Sequence, residues 1–182
     1  DIIAVVVWYN PNATHAHNLM SYAHVVRHVV VVDNSINDHS PLLQEMSDNL
    51  TYIPLHDNFG IAHALNIGCN KAVEMGAQWI LTMDQDSQWQ TGQLEHYIHT
   101  ANNYPSIEQV GVFSPRQVYG KGCVKQTSIY EEKIAVMTSG CLVSSKGYEL
   151  SKGFRDEFFI DEVDNEYCMH IRTLGMQVII CN

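Results

Sequence analysis

The chain has 182 residues, 46% of them hydrophobic, and a formal net charge of −10. That length allows one domain with a substantial core, and no apolar run reaches the roughly 18 residues that would suggest a membrane span. Residues 1 to 115 hold two basic side chains, Arg27 and Lys71, against eleven acidic ones, which argues against a nucleic-acid binder.

A phosphorylated ligand held by this acidic half would need neutralising by backbone N–H groups or a metal. The five cysteines, Cys69, Cys123, Cys141, Cys168 and Cys181, are odd in number and form no C-x-x-C pair. That speaks against a disulfide framework or a zinc site and fits core filling in a reducing compartment. No stretch has the make-up of a signal peptide. The chain starts without Met in a strand-like run and stops in another, the pattern of a fragment of a longer protein.

Asp1 to Trp8 (D-I-I-A-V-V-V-W) is a β-rich run ended by the turn residues Tyr9-Asn10-Pro11. Thr14 is the predicted N-cap of a helix reaching about Val26, with Leu19, Ala23 and Val26 at helical spacing. His28 to Val32 predicts a second strand, which runs into Asp33-Asn34-Ser35. Pro41 to Met46 suggests a short helix and Thr51 to Leu55 a third strand. Ile61, Leu65, Cys69, Ala72 and Val73 mark the buried face of a helix that Gly76 closes. Trp79 to Met83 is apolar on nearly every residue, as strands covered on both faces are, and it runs into Asp84-Gln85-Asp86. Thr91 begins a helix with Leu94, Ile98 and Ala101 inward, and Gln109 to Ser114 is the next strand. From Arg116 to Lys133 the pattern loosens into a loop or hairpin. Ile134 to Ser144 holds a short strand interrupted by Ser139-Gly140. Phe158 to Asp161 leads into a helix with Val163, Tyr167, Ile171 and Leu174 on one face, ended by Gly175, and Val178 to Asn182 is a last strand. This alternation predicts a single α/β domain with a doubly wound, mostly parallel sheet.

In such a sheet, ligands sit beyond the carboxyl ends of the strands. Three clusters fall there: Asp33-Asn34-Ser35, Asp57-Asn58 and Asp84-Gln85-Asp86. Asp84 and Asp86 can share one divalent cation through hard oxygen ligands, or they form a solvated acidic turn. Asp33 can accept a hydrogen bond from a pyrimidine N–H or a ribose hydroxyl, or Asp33, Asn34 or Ser35 can cap a helix. Asn58-Phe59-Gly60 opens a helix whose free N–H groups could meet a phosphate. The small residues Gly60, Ala62, Ala64 and Gly68 admit a nucleotide or a neighbouring strand. A fourth cluster, Asp161 to Glu166, crowds four carboxylates at a helix start. Asp161 reads as the N-cap and Glu162 as a solvated first-turn residue; a carboxylate such as Asp164, held near others, suits general-base work.

The ordered motifs V-V-V-W-Y-N-P, V-V-D-N-S, D-N-F-G-I-A-x-A-L-N-I-G, M-D-Q-D-S, T-S-G-C and F-I-D-E-V-D-N-E-Y resemble family-2 inverting glycosyltransferases of the GT-A fold, and within them the bacterial rhamnosyltransferase branch. The resemblance covers the whole chain. It implies residues 1–115 as a nucleotide-sugar-binding half and 116–182 as an acceptor-side half. Tyr9 and Asp33 would contact base and ribose, and Asn58, Gly60 and Asn66 would shape the nucleotide pocket. Asp84 would engage the ribose and, with Asp86, a Mg²⁺ or Mn²⁺ ion on the diphosphate. Ser139, Gly140 and Asp161 would border the acceptor, and Asp164 would be the catalytic base. The implied donor is dTDP-rhamnose or a UDP-sugar and the acceptor a glycan or lipid-linked glycan for a bacterial surface polysaccharide, in a cytoplasmic protein working at the inner face of the cytoplasmic membrane.

Two positions depart from the family pattern. Val163 precedes Asp164 where Glu is usual, with an extra carboxylate at Asp161. Met169-His170 stands where many members carry Arg, and Arg172 lies further on. The other readings are a nucleotidyltransferase, which would want a basic phosphate clamp, and a non-catalytic nucleotide- or sugar-binding module. A dehydrogenase is disfavoured because no G-x-G-x-x-G follows the first strand.

Overall fold

The computed structural model describes residues 1–44, 49–116 and 128–181. Among them the strands are β1 (Ile2–Trp8), β2 (His28–Asp33), β3 (Leu50–Pro54), β4 (Trp79–Asp84), β5 (Val110–Pro115), β6 (Tyr130–Glu132), β7 (Cys141–Ser144) and β8 (Gln177–Cys181). The helices are α1 (Ala13–Ala23), α2 (Ile61–Glu74), α3 (Gln93–Asn102), α4 (Ser145–Ser151) and α5 (Val163–Thr173). The strands form one sheet in the order β3-β2-β1-β4-β7-β5-β8-β6. β1, β2, β3 and β4 pair in parallel, as do β5 and β8. β7 runs antiparallel between β4 and β5, and β6 antiparallel to β8.

The apolar runs of β1 and β2 follow from burial on both faces. Alternate residues of a strand point to opposite sides. Ile3, Val5 and Val7 join a core with α2, α4 and α5, while Ala4, Val6 and Trp8 join another with α1 and α3. The four described cysteines, Cys69, Cys141, Cys168 and Cys181, are buried free thiols in these cores; Cys123 lies outside the described residues. Gly68 lets α2 close onto the sheet, since a Cβ there would sit 2.3 Å from Val5 Cγ1 and 3.1 Å from Val32 Cγ2. Of the two occupants its small size allows, Gly68 serves the neighbouring strands.

Several boundaries differ from the sequence expectation. Asn12, not Thr14, caps α1: its Oδ1 accepts from the backbone N–H of Thr14 (2.9 Å) and His15, and His15 Nδ1 accepts from Asn12 N–H in return. The Asn12 amide, two residues earlier, satisfies the orphan donors first. The helix expected over Pro41 to Met46 is a 3₁₀ turn at Ser40–Leu43, residues 45–48 lying outside the described set. Of the Arg116 to Lys133 loop, 117–127 also lie outside it, and the remainder supplies β6. Ile134 to Thr138 is not strand, and α4, short and only weakly periodic, was not foreseen. α3 starts at Gln93 behind Gly92 rather than at Thr91. Leu174 is 42% exposed, past the inward face of α5.

The strand register positions the site. Trp8 lies beside Asp33, Val7 beside Asp84, and Asp33 beside Pro54. The residues following β1 to β4 therefore emerge along one edge. The strand order reverses between β1 and β4, where a crevice opens in sheets of this kind.

Candidate functional site

β4 ends on Asp84, and the turn that follows carries Asp86. The turn is braced from beneath: Asp84 N–H donates to Ser139 Oγ (3.1 Å), Ser139 O–H donates to Ser87 Oγ (2.8 Å), and Gly140 N–H donates to the Thr82 carbonyl (2.8 Å). Ser139 and Gly140, expected at the acceptor border, are buried struts under this turn. Burial pushes the Asp84 carboxyl up to about 6, and the charges of Asp164 and then Asp86 add to the rise. Asp164 itself is pushed up by burial, with a hydrogen bond from the Thr138 backbone acting in the opposite sense. Asp84 and Asp86 thus share one electrostatic neighbourhood with Asp164, distant from both in sequence.

Gly60 and Phe159 bring α5 there. Ile61 N–H, at the start of α2, donates to the Phe159 carbonyl (2.7 Å). Gly60 has φ +87°, and a Cβ on it would lie 2.6 Å from that oxygen; both facts require glycine. The Ile61 N–H, expected to be free for a phosphate, is therefore taken by protein. Gly60 N–H instead donates to Asn58 Oδ1 (3.0 Å), which also accepts from Asn34 Nδ2 (2.9 Å), and Phe59 N–H donates to Asn34 Oδ1 (2.9 Å). Asn58 and Gly60 hold a loop and the approach of the 158–162 segment. Asn66 faces another neighbour: its Nδ2 donates to the Phe154 carbonyl and Asp156 Oδ1 (2.7 Å each), and its Oδ1 accepts from Phe154 N–H and Tyr148 O–H.

On the nucleotide side expected from the sequence, Tyr9 is 50% exposed. Its backbone is tied to Gln85 in both directions, N–H to Oε1 (2.8 Å) and carbonyl from Nε2 (3.2 Å), so the ends of β1 and β4 are clamped. Asp33 is fully buried. Its Oδ2 accepts from Tyr52 O–H and His39 Nδ1 (2.7 Å each), and its Oδ1 from Ser35 N–H (3.2 Å). It caps no α-helix, and neither does Asp161, which is exposed; Glu162, at φ +65°, occupies the N-cap position of α5 without a side-chain cap. Beside Asp164 lies a cleft of about 330 Å³ lined in part by Val136, Met137, Ile160 and Asn165.

Among the described residues no three His, Cys, Asp or Glu side chains are arranged to hold a metal by themselves. Asp84 and Asp86 still fit Mg²⁺ or Mn²⁺, which commonly take one or two carboxylates and complete their shell with substrate phosphates and water. The crowding that raises Asp84 is the field such a cation would relieve. The two basic residues of the first half lie elsewhere: Arg27 pairs with Asp1 (2.8 Å) at the opposite end of the strands, and Lys71 with Glu74 (3.3 Å).

Gln85, Phe159, His39 and Tyr52 were not singled out from the sequence. Gln85 sits inside M-D-Q-D-S and was open to notice. The roles of the others rest on partners 6 to 98 residues distant, which local spacing does not identify.

The family model for glycosyl transferase family 2 matches residues 13–136. The dTDP-rhamnosyl transferase RfbF of Shigella flexneri is 30% identical over 201 residues, covering 99% of this chain and 66% of its own length. Among solved structures, S. aureus TarS 1–349 in complex with UDP-GlcNAc superposes with a TM-score of 0.74 at 17% identity, over 99% of this chain and 55% of that one. GalNAc-T7 with UDP, GalNAc and Mn²⁺ superposes with a TM-score of 0.78 at 12% identity, over 99% of this chain and 42% of that one. The chain spans just under two thirds of the curated relative and about half of the TarS fragment. The structural likenesses show the fold, a GT-A-type sheet with its flanking helices. The family match takes in Asp33, Asn58, Gly60, Asp84 and Asp86, and the chain belongs to glycosyl transferase family 2.

Proposed function

We propose that this chain is the catalytic domain of a metal-dependent, inverting glycosyltransferase that moves rhamnose from dTDP-rhamnose to a glycan or lipid-linked acceptor, with a UDP-sugar as the alternative donor. The observation that carries this reading is that Asp84 ends β4 beside the point where the strand order reverses, with Asp86 in the following turn and Asp164 near enough for its charge to act on Asp84. The dTDP-rhamnosyl transferase relative supports the donor, and fold neighbours bound to UDP-GlcNAc or to UDP with Mn²⁺ support the donor class and the metal.

Asp84 and Asp86 are the residues that would hold Mg²⁺ or Mn²⁺ with the diphosphate. When bound, the ion offsets the charge that builds on the leaving nucleoside diphosphate. Asp164 receives the proton of the acceptor hydroxyl as its oxygen bonds to the anomeric carbon and the bond to the diphosphate oxygen breaks on the opposite side, inverting the configuration. Burial strengthens Asp164 as a base, because the charged form is poorly solvated and takes a proton more readily. The acceptor enters by the cleft lined by Met137 and Ile160. Residues 1–115 supply the donor side and 116–182 the base and this cleft. No described helix is long and apolar enough to cross a membrane; we place the protein on the cytoplasmic side of the membrane, working at its surface.

Thermal unfolding with dTDP or UDP, in Mn²⁺ or in EDTA, tests the reading. Ligand at about 100 times its dissociation constant stabilises the native state by about 2.7 kcal/mol, a rise of about 5 to 10 °C for a chain of this size. Most of that rise should vanish in EDTA and in Asp86→Ala. Equal stabilisation in EDTA overturns the metal dependence, and a preference for adenine nucleotides overturns the donor.

A further inference from the structure

We infer that Thr82 is a positioning residue for the base: its buried hydroxyl fixes the 138–140 turn, and that turn holds Asp164 against the Asp84 end of β4. This deepens the proposed function and rests on it for the role of Asp164. Thr82 puts a hydroxyl into the otherwise apolar run of β4 and is 1% exposed, so no ligand reaches it. Ile80, two residues earlier, packs in the core that includes α5. Alternate strand residues share a face, so Thr82 and Asp84 lie on that side too. The Thr82 hydroxyl donates to the Thr138 carbonyl (2.6 Å) and, at longer range, to the Cys141 carbonyl (3.3 Å). The Thr82 carbonyl in turn accepts from Gly140 N–H (2.8 Å).

Residues 136–138 belong to no strand or helix, and their carbonyls are held one by one by side chains. Val136 accepts from the Cys168 thiol of α5 (3.8 Å), Met137 from the Cys141 thiol (2.9 Å) and Thr138 from Thr82. Thiols are weak donors, so the Thr82 hydroxyl is the strongest of these three ties. Thr138 and Asp164 line one small cavity between β7 and α5, and Thr138 N–H donates to the Asp164 carboxylate. The next residue, Ser139, accepts from Asp84 N–H. Neighbouring residues of one turn thus hold the base and the end of the strand that carries Asp84. A buried carbonyl that loses its donor is costly. Without the Thr82 hydroxyl the turn therefore shifts to pair the Thr138 carbonyl elsewhere, and Thr138 N–H leaves Asp164. That N–H favours the charged carboxylate, the form that accepts the proton of the acceptor hydroxyl. Thr82 keeps the base charged and aimed without touching substrate.

Carbon-13 NMR of the Asp164 carboxyl in the metal-free protein tests this, with Asp164→Asn identifying the signal. The titratable groups facing Asp164 are Asp84 of β4, Cys141 of β7, Cys168 of α5 and Glu162 in the cleft; the variants alter none of them. Thr82→Val keeps the β-branched shape and removes the hydroxyl, and the midpoint of the Asp164 titration should rise by about half a pH unit or more. Thr82→Ser restores the hydroxyl and should return the midpoint to that of the unmodified protein. UDP with Mn²⁺, titrated by calorimetry, should bind all three proteins alike, because Ser139 keeps its bonds to Asp84 and Ser87. An unmoved midpoint in Thr82→Val, or the same rise in Thr82→Ser, overturns the inference. So does a parallel loss of UDP affinity, which would make Thr82 a general support of the site. In the unmodified protein the Thr138 amide proton should shift with pH at the Asp164 midpoint; an amide indifferent to that titration overturns the inference even where Thr82→Val does not fold. Failure of the unmodified protein to bind UDP or dTDP overturns the proposed donor and leaves the tie from Thr82 to Asp164 standing.

Discussion

Replacing Gly60 with alanine tests how the two halves of the site are joined. Gly60 has φ +87° and ψ 162°, a region open essentially to glycine, and forcing another residue into it costs about 1 to 3 kcal/mol. The added Cβ would also lie 2.6 Å from the Phe159 carbonyl oxygen and 3.0 Å from Phe159 Cα. Backbone must then shift, which adds a further cost of the order of 1 kcal/mol or more. Gly76 separates the two effects: its φ is +81° but nothing lies within 4 Å of its Cβ position, so Gly76→Ala carries only conformational strain, about 1 kcal/mol. At 2 to 4 °C per kcal/mol for a chain of this length, Gly60→Ala should melt about 4 to 16 °C low and Gly76→Ala about 2 to 4 °C low, by calorimetry or circular dichroism. Because the shift moves the approach to α5, Gly60→Ala should also lose transferase activity at temperatures where it remains folded. Equal melting temperatures for the two variants would refute the view that the Phe159 contact positions Asp164.

The Asp84 carboxyl, at about 6 in the folded chain against an ordinary 3.8, holds a proton that the unfolded chain releases. Stability of the metal-free protein should therefore fall as pH rises from about 4 to about 6, by at most about 3 kcal/mol. Urea denaturation in EDTA should show that slope, and Asp84→Asn should reduce it, leaving the part due to Asp164, and be the more stable protein at pH 7. Asn66→Ala leaves the Phe154 N–H and carbonyl without their partner, and should cost about 2 kcal/mol while the affinity for UDP or dTDP holds; an affinity loss would return Asn66 to the nucleotide pocket. Asp164→Asn should cut turnover by about 10² or more in the full-length enzyme with donor affinity unchanged. Asp161→Asn, at an exposed site that caps nothing, should change stability by less than about 0.5 kcal/mol and keep near-normal turnover; the reverse pattern would make Asp161 the base.

The sequence by itself determined the strands and the principal helices. Unbroken apolar runs such as Ile2–Trp8 and Trp79–Met83 have no stable place except between two covering layers, and alternation with amphipathic helices leaves few topologies. It also put Asp33, Asn58, Asp84 and Asp86 on one edge, because parallel strands all end on the same side. Tertiary structure alone decided what each of those residues can reach. Asn58, Asn66 and Ser139 are polar groups of the kind that make ligand contacts, but each is bonded to protein from segments 24 to 90 residues away. Asp33 lost its exposure to His39 and Tyr52, and Ile61, the first residue of α2, lost its free N–H to Phe159. A residue's type and local spacing fix what bonds it can make, while the competition for those bonds is settled by whichever partner the packed sheet brings within hydrogen-bonding distance, and that depends on contacts between segments far apart in the chain.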